Sequence, residues 1–90
     1  MGRVLVVDDE AGVRESLRML LKDDCEVVTA ENVAVAVRAL EERPPDLVLL
    51  DLIMPGGSGL GLLELLSERE HPPPVVVLRS EEHTSELQSQ

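Results

Sequence analysis

Three aspartates have the residue type and spacing to bind a hard cation. Asp8 and Asp9 directly follow the apolar run Val4–Val7, and Asp51 directly follows the apolar run Leu47–Leu50. Clustered carboxylates repel one another, so either their pKa values rise or a cation neutralises the group. A set of oxygen ligands with positions left for water suits Mg²⁺, which takes one or two protein carboxylates. One carboxylate beside such a cation would be able to attack a phosphoryl group.

The apolar runs that precede these acids are typical of strands buried on both faces. They are continuous rather than alternating, which is the pattern of a parallel sheet covered by helices. Three such strands are predicted, at Val4–Val7, Leu47–Leu50 and Val75–Leu78, and a fourth, shorter strand is predicted at Glu26–Thr29.

Helices are predicted between the strands. Val13, Leu17, Leu20 and Leu21 form an apolar stripe over residues 11–23, and Asn32 is a candidate N-cap for a helix that ends at Glu42. Leu62, Leu63 and Leu66 mark a third helix, before three prolines. The order βαβαβαβ predicts an α/β fold with a doubly wound parallel sheet.

The topology of such a sheet predicts where the acids meet. Parallel strands have their carboxyl ends at one edge, and in the strand order 2-1-3-4-5 strands one and three are neighbours at the switch point where ligands bind. Asp8, Asp9 and Asp51 should therefore converge. A simpler interpretation is that Asp9 and Glu10 only stabilise a helix amino-terminus. Two acidic strand ends at one switch point favour the metal site.

Composition limits the classes of protein. Ninety residues make one small domain, 43% of them hydrophobic and none of them aromatic. The net charge of −10 argues against direct binding to nucleic acid or to an anionic membrane. There is no signal peptide pattern, and no apolar stretch approaches the roughly 20 residues that span a bilayer. A cytoplasmic location is expected.

Two motifs resemble those of the receiver domains of bacterial response regulators. The segment from Val4 to Glu10 reads VLVVDDE and resembles their opening, and the segment from Pro45 to Gly56 reads PDLVLLDLIMPG and resembles their central signature. Gly59 also stands where the family has a glycine. The resemblance covers residues 3–78 and implies a flavodoxin-like fold and a role in two-component phosphorelay signalling.

The resemblance assigns roles to particular residues. Asp51 would accept the phosphoryl group. Asp9 would bind Mg²⁺ directly, Asp8 would bind it directly or through water, and Ile53 would offer its backbone carbonyl. The phosphoryl donor would be a cognate sensor histidine kinase. The partner controlled by the switch would be an output domain outside this chain, and a transcriptional regulator is the expected parent protein.

The sequence departs from the family after residue 78. Receivers carry Ser or Thr directly after the fourth strand, whereas Arg79 stands here and Ser80 follows one residue late. They continue with a fourth helix, a fifth strand followed by a Lys, and a fifth helix. None of these is visible, and Lys22 is the only lysine. The expected fold is therefore incomplete, and the fragment by itself is expected to be non-functional.

The last residues have a different origin in this interpretation. Residues 79–89 read RSEEHTSELQS and resemble an in-frame translation of a sequencing-library adaptor. The predicted organisation is a partial receiver over residues 3–78 and a non-native, disordered tail over residues 79–90.

Two other functions compete with phosphoryl acceptance. A phosphohydrolase with an aspartyl nucleophile would need a second acid two residues later, and Ile53 occupies that position. An interaction-only receiver-like domain would never be phosphorylated, although such domains usually lose one of the acids. The chain is thus expected not to be an enzyme, with the interaction-only domain as the alternative.

Overall fold

The computed structural model describes residues 2–54 and 58–79, in which strands and helices alternate. The elements are β1 (Gly2–Val7), α1 (Ala11–Leu21), β2 (Cys25–Ala30), α2 (Val33–Glu42), β3 (Leu47–Asp51), α3 (Ser58–Ser67) and β4 (Val75–Arg79). The predicted βαβαβαβ order is confirmed. No helix within these ranges is long and apolar enough to cross a membrane.

The four strands form one parallel sheet in the order β2-β1-β3-β4. This is the predicted doubly wound arrangement, with β1 and β3 side by side at its centre. The register pairs Val4 with Leu47 and Val7 with Leu50, so Asp8, which follows β1, comes level with Asp51, the last residue of β3. A fifth strand and two further helices are absent from the described residues, which agrees with the expected incomplete fold.

Apolar cores lie on both faces of the sheet, and β1 and β3 contribute buried side chains to both of them. On one face, Leu5 and Val7 of β1 pack with Leu40 of α2 and Leu62 of α3. On the opposite face, Val4, Val6 and Leu49 pack with Leu17 and Leu21 of α1. The alternation of side chains along a strand sends neighbouring residues of β1 into different cores.

The strand boundaries differ from the predicted ones by one or two residues. Asp51 is the last residue of β3 rather than the residue after it, and Arg79 closes β4. Backbone pairing continues past the last apolar side chain because the ladder uses main-chain groups only. The predicted tail lies outside the described residues, except for Arg79, and so does the loop over residues 55–57.

Helix α1 is shorter than predicted and uses less of its apolar stripe. It ends at Leu21, where the Lys22 amide donates to the Arg18 carbonyl. Leu20 was expected in the core but is 71% exposed. A helix turns about 100° per residue. Leu20 therefore points about 100° away from Leu21, the residue that packs on the sheet.

Helix α2 begins as its sequence predicts. The Asn32 side chain accepts a hydrogen bond from the Val35 amide at 2.9 Å, which satisfies one of the unpaired amides of the first turn. The helix ends at Glu42, ahead of Pro44 and Pro45, because a residue before proline avoids the helical region.

Strand β4 is an edge strand within the described part of the chain, where it pairs only with β3. Its apolar side chains are poorly covered, with Val76 49% and Val77 39% exposed. An edge of this kind presents unpaired main-chain groups together with apolar side chains, a combination that promotes pairing between molecules.

We therefore expect the 90-residue chain to self-associate through β4. Val76→Lys should raise the concentration at which this happens by about tenfold, or roughly 1.4 kcal/mol, because a charge on an edge strand opposes sheet extension. Sedimentation velocity over a concentration series measures the effect. Leu20→Lys is the matched control, since it removes an exposed leucine outside the sheet. Equal effects of the two substitutions would show that the β4 edge is not responsible.

Candidate functional site

The structure brings the three aspartates together at the carboxyl edge of the sheet. Asp8 follows β1 and Asp51 ends β3, so the pairing of these two strands places both residues at one end of the central crevice. One carboxylate oxygen from each of Asp8, Asp9 and Asp51 lies within 4.8 Å of the others. The convergence expected from the strand order is therefore observed, and residues 43 positions apart in the chain share one site.

Main-chain hydrogen bonds fix Asp8 on both sides. Its amide donates to the Ala30 carbonyl at 3.1 Å, which continues the ladder between β1 and β2 by one residue. Its Oδ1 accepts from the Glu10 amide at 2.9 Å. The Asp8 side chain is only 1% exposed, so this local hydrogen bond sets the direction of a buried carboxylate.

Asp51 is oriented in the same way. Its Oδ1 accepts from the Ile53 amide at 2.9 Å, again two residues along the chain, and the residue is completely buried. Ile53 itself is exposed. Its amide thus belongs to the site, while its predicted role as a carbonyl ligand stays a prediction.

Asp9 differs from the other two acids because it is exposed. The cluster consequently has two buried carboxylates and one that faces solvent.

Arg14 is the residue at this site that sequence reasoning missed. The apolar pattern of α1 placed it on another face of the helix, yet its side chain is only 18% exposed. Its Nη1 donates to the main-chain carbonyl of Asp8 at 2.7 Å. No periodicity rule signals this contact, because it depends on where α1 crosses the end of β1.

The other arginine on this side of α1 has a different role. Arg18 donates hydrogen bonds to Glu15 on the exposed surface, and this contact lowers the pKa of Glu15 and raises that of Arg18. Exposed pairs of this type contribute little to stability. The Arg18 side chain is engaged with Glu15 on the exposed surface, which makes it a natural control for Arg14.

The start of α3 rests directly on the strand end that carries Asp51. A Cβ added at Gly59 would lie 2.6 Å from the Asp51 carbonyl oxygen and 2.8 Å from the Leu52 Cα. These distances are far below an ordinary carbon contact, so any side chain would force α3 and β3 apart. Glycine is needed here for close approach.

The ladder between β3 and β4 is irregular next to Asp51. Leu50 pairs with Val77 but Asp51 pairs with Arg79, so β4 carries one extra residue at this step. Bulges are frequent beside functional sites, where they change the direction of a strand. The residue level with Asp51 is therefore Arg79, at the position where receivers carry a hydroxyl residue.

The donor set fits a magnesium ion. All three side chains offer oxygen only, and Mg²⁺ with octahedral ligands at 2.0–2.1 Å places neighbouring oxygens about 3 Å apart and opposite ones about 4 Å apart. The three ligand oxygens all lie within 4.8 Å of one another, which is close to this geometry. The exposed Asp9 leaves room for the waters that Mg²⁺ retains.

Comparison with known families identifies this arrangement. Residues 4–89 match the family described as the response regulator receiver domain. The chain belongs to the response regulator receiver family. Receiver domains are modules of two-component systems, as the sequence motifs predict.

Relatives agree with the assignment and are much longer than the chain. The transcriptional regulatory protein YdfI of Bacillus subtilis is 41% identical over 81 residues, which cover 87% of this chain and 38% of YdfI. A protein-glutamate methylesterase/protein-glutamine glutaminase of Myxococcus xanthus is 44% identical over 88 residues, covering 94% of this chain and 25% of that protein. The chain thus spans well under half the length of these curated relatives.

Solved structures confirm the fold. The N-terminal domain of a response regulator receiver protein from Methanoculleus marisnigri superposes with a TM-score of 0.78 at 30% identity. The alignment covers 92% of this chain and 74% of that domain.

The close approach at Gly59 gives a test of the site's scaffold. Gly59→Ala should lower the free energy of unfolding by about 1–3 kcal/mol, because a Cβ cannot be accommodated against β3. Gly61→Ala is the matched control in the same helix. It meets no atom within 4 Å and should raise stability by about 0.5–1 kcal/mol, through the better helix propensity of alanine.

Urea denaturation followed by circular dichroism measures both variants in one receiver background. Equal or reversed effects of the two substitutions would contradict the packing of α3 on the Asp51 strand end.

Proposed function

We propose that this receiver accepts a phosphoryl group on Asp51 in a Mg²⁺-dependent reaction with a sensor histidine kinase. The observation that carries the proposal is a buried Asp51 carboxylate whose oxygen lies within 4.8 Å of ligand oxygens of Asp8 and Asp9. Structural carboxylates are rarely buried together without a cation, because each desolvated charge repels the next.

The proposed reaction transfers one phosphoryl group. A carboxylate oxygen of Asp51 forms a bond to phosphorus while the bond from phosphorus to the histidine nitrogen of the kinase breaks. The electron pair of the broken bond stays on the imidazole. Asp51 acts as the nucleophile, and the Ile53 amide holds its Oδ1 so that the side chain keeps one orientation during the attack.

The remaining residues would hold the cation. Asp8, Asp9 and Asp51 supply carboxylate oxygens, and Ile53 supplies its backbone carbonyl. Bound Mg²⁺ supplies positive charge that offsets the repulsion between these acids and the incoming phosphoryl oxygens. The Glu10 amide keeps the buried Asp8 carboxylate in one orientation, which prepares the ligand set before binding.

The interaction-only receiver is the alternative, and the complete set of acids argues against it. We also propose that the segment is not an enzyme in its own right. Ile53 stands where an aspartyl phosphatase would carry its second acid. The methylesterase relative is matched over only a quarter of its length, so its named activity does not transfer to this segment.

The chain would act as part of a longer cytoplasmic protein. Relatives such as YdfI, a transcriptional regulatory protein, extend far beyond the matched region, which supports an output in transcription. The acidic segment itself would bind neither nucleic acid nor membrane. Residues 3–78 would be the native receiver portion, and residues 79–90 would be non-native sequence.

The 90-residue chain by itself would not signal. Arg79 stands level with Asp51 where a hydroxyl would contact the phosphoryl group. The lysine expected to pair with the phosphorylated aspartate is also missing, since Lys22 follows α1 and is the only lysine. The phosphorylation test therefore uses the longer natural protein.

In that protein, Asp51→Asn should abolish labelling by a small acyl phosphate, because the amide is not a nucleophile. Asp9→Ala should lower the labelling rate at least tenfold by weakening the metal site, and chelation of divalent cations should do the same in the unaltered protein. Asp23→Asn removes an exposed carboxylate outside the site and is the control. Intact-protein mass spectrometry measures the gain of one phosphoryl group.

Survival of labelling in the Asp51→Asn variant would refute Asp51 as the acceptor. An unaltered protein that folds but gains no phosphoryl group from any donor would support the interaction-only alternative.

A further inference from the structure

The guanidinium of Arg14 connects the acidic site to its surroundings. Arg14 lies in the first turn of α1, where its main-chain amide donates to the Glu10 carbonyl at 3.1 Å. Its Nη1 donates to the Asp8 carbonyl at 2.7 Å, and its Nη2 lies 3.9 Å from Glu31 Oε1. One residue thus reaches both ends of the turn that carries Asp8 and Asp9.

The contact with the Asp8 carbonyl is the strong one. It is a charge-assisted hydrogen bond in a part-buried position, whereas Glu31 is 63% exposed and its distance is that of a weak ion pair. The Asp8 carbonyl belongs to the peptide that leads into Asp9. Fixing this peptide plane fixes the directions in which both side chains leave the backbone.

Arg14 completes a set of restraints on this turn. The Asp8 amide is held by the Ala30 carbonyl, the Asp8 side chain by the Glu10 amide, and the Glu10 carbonyl by the Arg14 amide. The Arg14 guanidinium adds a hydrogen bond to the Asp8 carbonyl.

Charge and position have opposite effects on a metal at this site. A guanidinium near the aspartates repels a divalent cation, so by charge alone Arg14 weakens metal binding. By holding the ligand-bearing turn in place it strengthens metal binding, because residues that orient metal ligands typically change affinity by about 10–100-fold. The sign of the change on removing Arg14 therefore separates the two roles.

We propose that Arg14 is a positioning residue for the metal site, which acts through the Asp8 carbonyl to fix Asp8 and Asp9 for the cation. The inference rests on the proposed function, since it takes the aspartate cluster as a divalent-cation site. It adds a residue outside the ligand set and assigns it an effect on metal affinity that its charge alone would reverse.

The test measures Mn²⁺ binding to the longer natural protein by electron paramagnetic resonance of the free ion. Arg14→Ala should weaken binding by about 10–100-fold. Arg14→Lys keeps a cationic donor and should stay within about threefold of the unaltered protein, since one donor is enough for a single carbonyl. Thermal unfolding of each variant shows whether the receiver is still folded at the temperature of the titration.

Two control variants isolate the Asp8 contact. Arg18→Ala removes a cation one turn along the same helix and should leave Mn²⁺ affinity within twofold, about the precision of a titration. Glu31→Ala removes the outer partner of Arg14 and should have an equally small effect, because the exposed pair is weak. A loss of affinity in Glu31→Ala as large as that in Arg14→Ala would overturn the assignment to the Asp8 carbonyl.

A metal-free measurement separates this inference from the proposed function. Hydrogen exchange without any divalent ion should be about tenfold faster at the Asp8 and Glu10 amides in Arg14→Ala, the ratio expected for losing a hydrogen bond worth about 1.4 kcal/mol. The Val35 amide, which donates to the Asn32 cap, is the internal reference and should not change.

Each outcome decides the inference. Weaker Mn²⁺ binding together with faster exchange at Asp8 and Glu10 supports it. Tighter or unchanged Mn²⁺ binding in Arg14→Ala overturns it, because Arg14 would then act through charge or not at all. If the unaltered protein binds no Mn²⁺, the metal site of the proposed function fails and this inference with it. Faster exchange alone would then leave Arg14 as an ordinary structural contact.

Discussion

The structure depends on the burial of two carboxylates at the ends of adjacent strands. Asp8 and Asp51 lie almost without exposure where β1 and β3 end, and desolvation and mutual repulsion both oppose this placement. Main-chain amides offset part of this cost, since Glu10 and Ile53 each donate a hydrogen bond to the carboxylate two residues earlier. The apolar strands β1 and β3 hold the two aspartates together, because displacing either strand would expose its buried side chains to water.

That constraint explains which parts of the fold lie close to the site. β1 and β3 are the central strands of the sheet, and their side chains are apolar on both faces, as in parallel sheets that helices cover on both sides. Their shared register then brings the acids level. Two main-chain contacts refine the placement, one where Arg14 meets the Asp8 carbonyl and one where Gly59 meets the Asp51 carbonyl.

The sequence predicts the strands and the acidic residues better than the contacts that hold the acids in place. Unbroken apolar runs identify β1 and β3, and the acids after them identify the site, because both signals are local. Asn32 is recognisable as a cap for the same reason. The exposure of Leu20 and the contact of Arg14 with the Asp8 carbonyl do not follow from the sequence pattern, since both depend on how α1 lies across the sheet. The roles of Asp8, Asp9, Asp51 and Ile53 remain predictions that rest on family and geometry.

The absence of a side chain at Gly59 has a mechanical consequence. Where two elements touch through side chains, a change of rotamer can absorb a small displacement. Here the backbone of α3 lies against the Asp51 carbonyl with nothing between them that can rotate. A movement of the peptide between Asp51 and Leu52 must therefore either displace α3 as a rigid body or be resisted by it. The position of the start of α3 is thus coupled directly to the residue proposed to react.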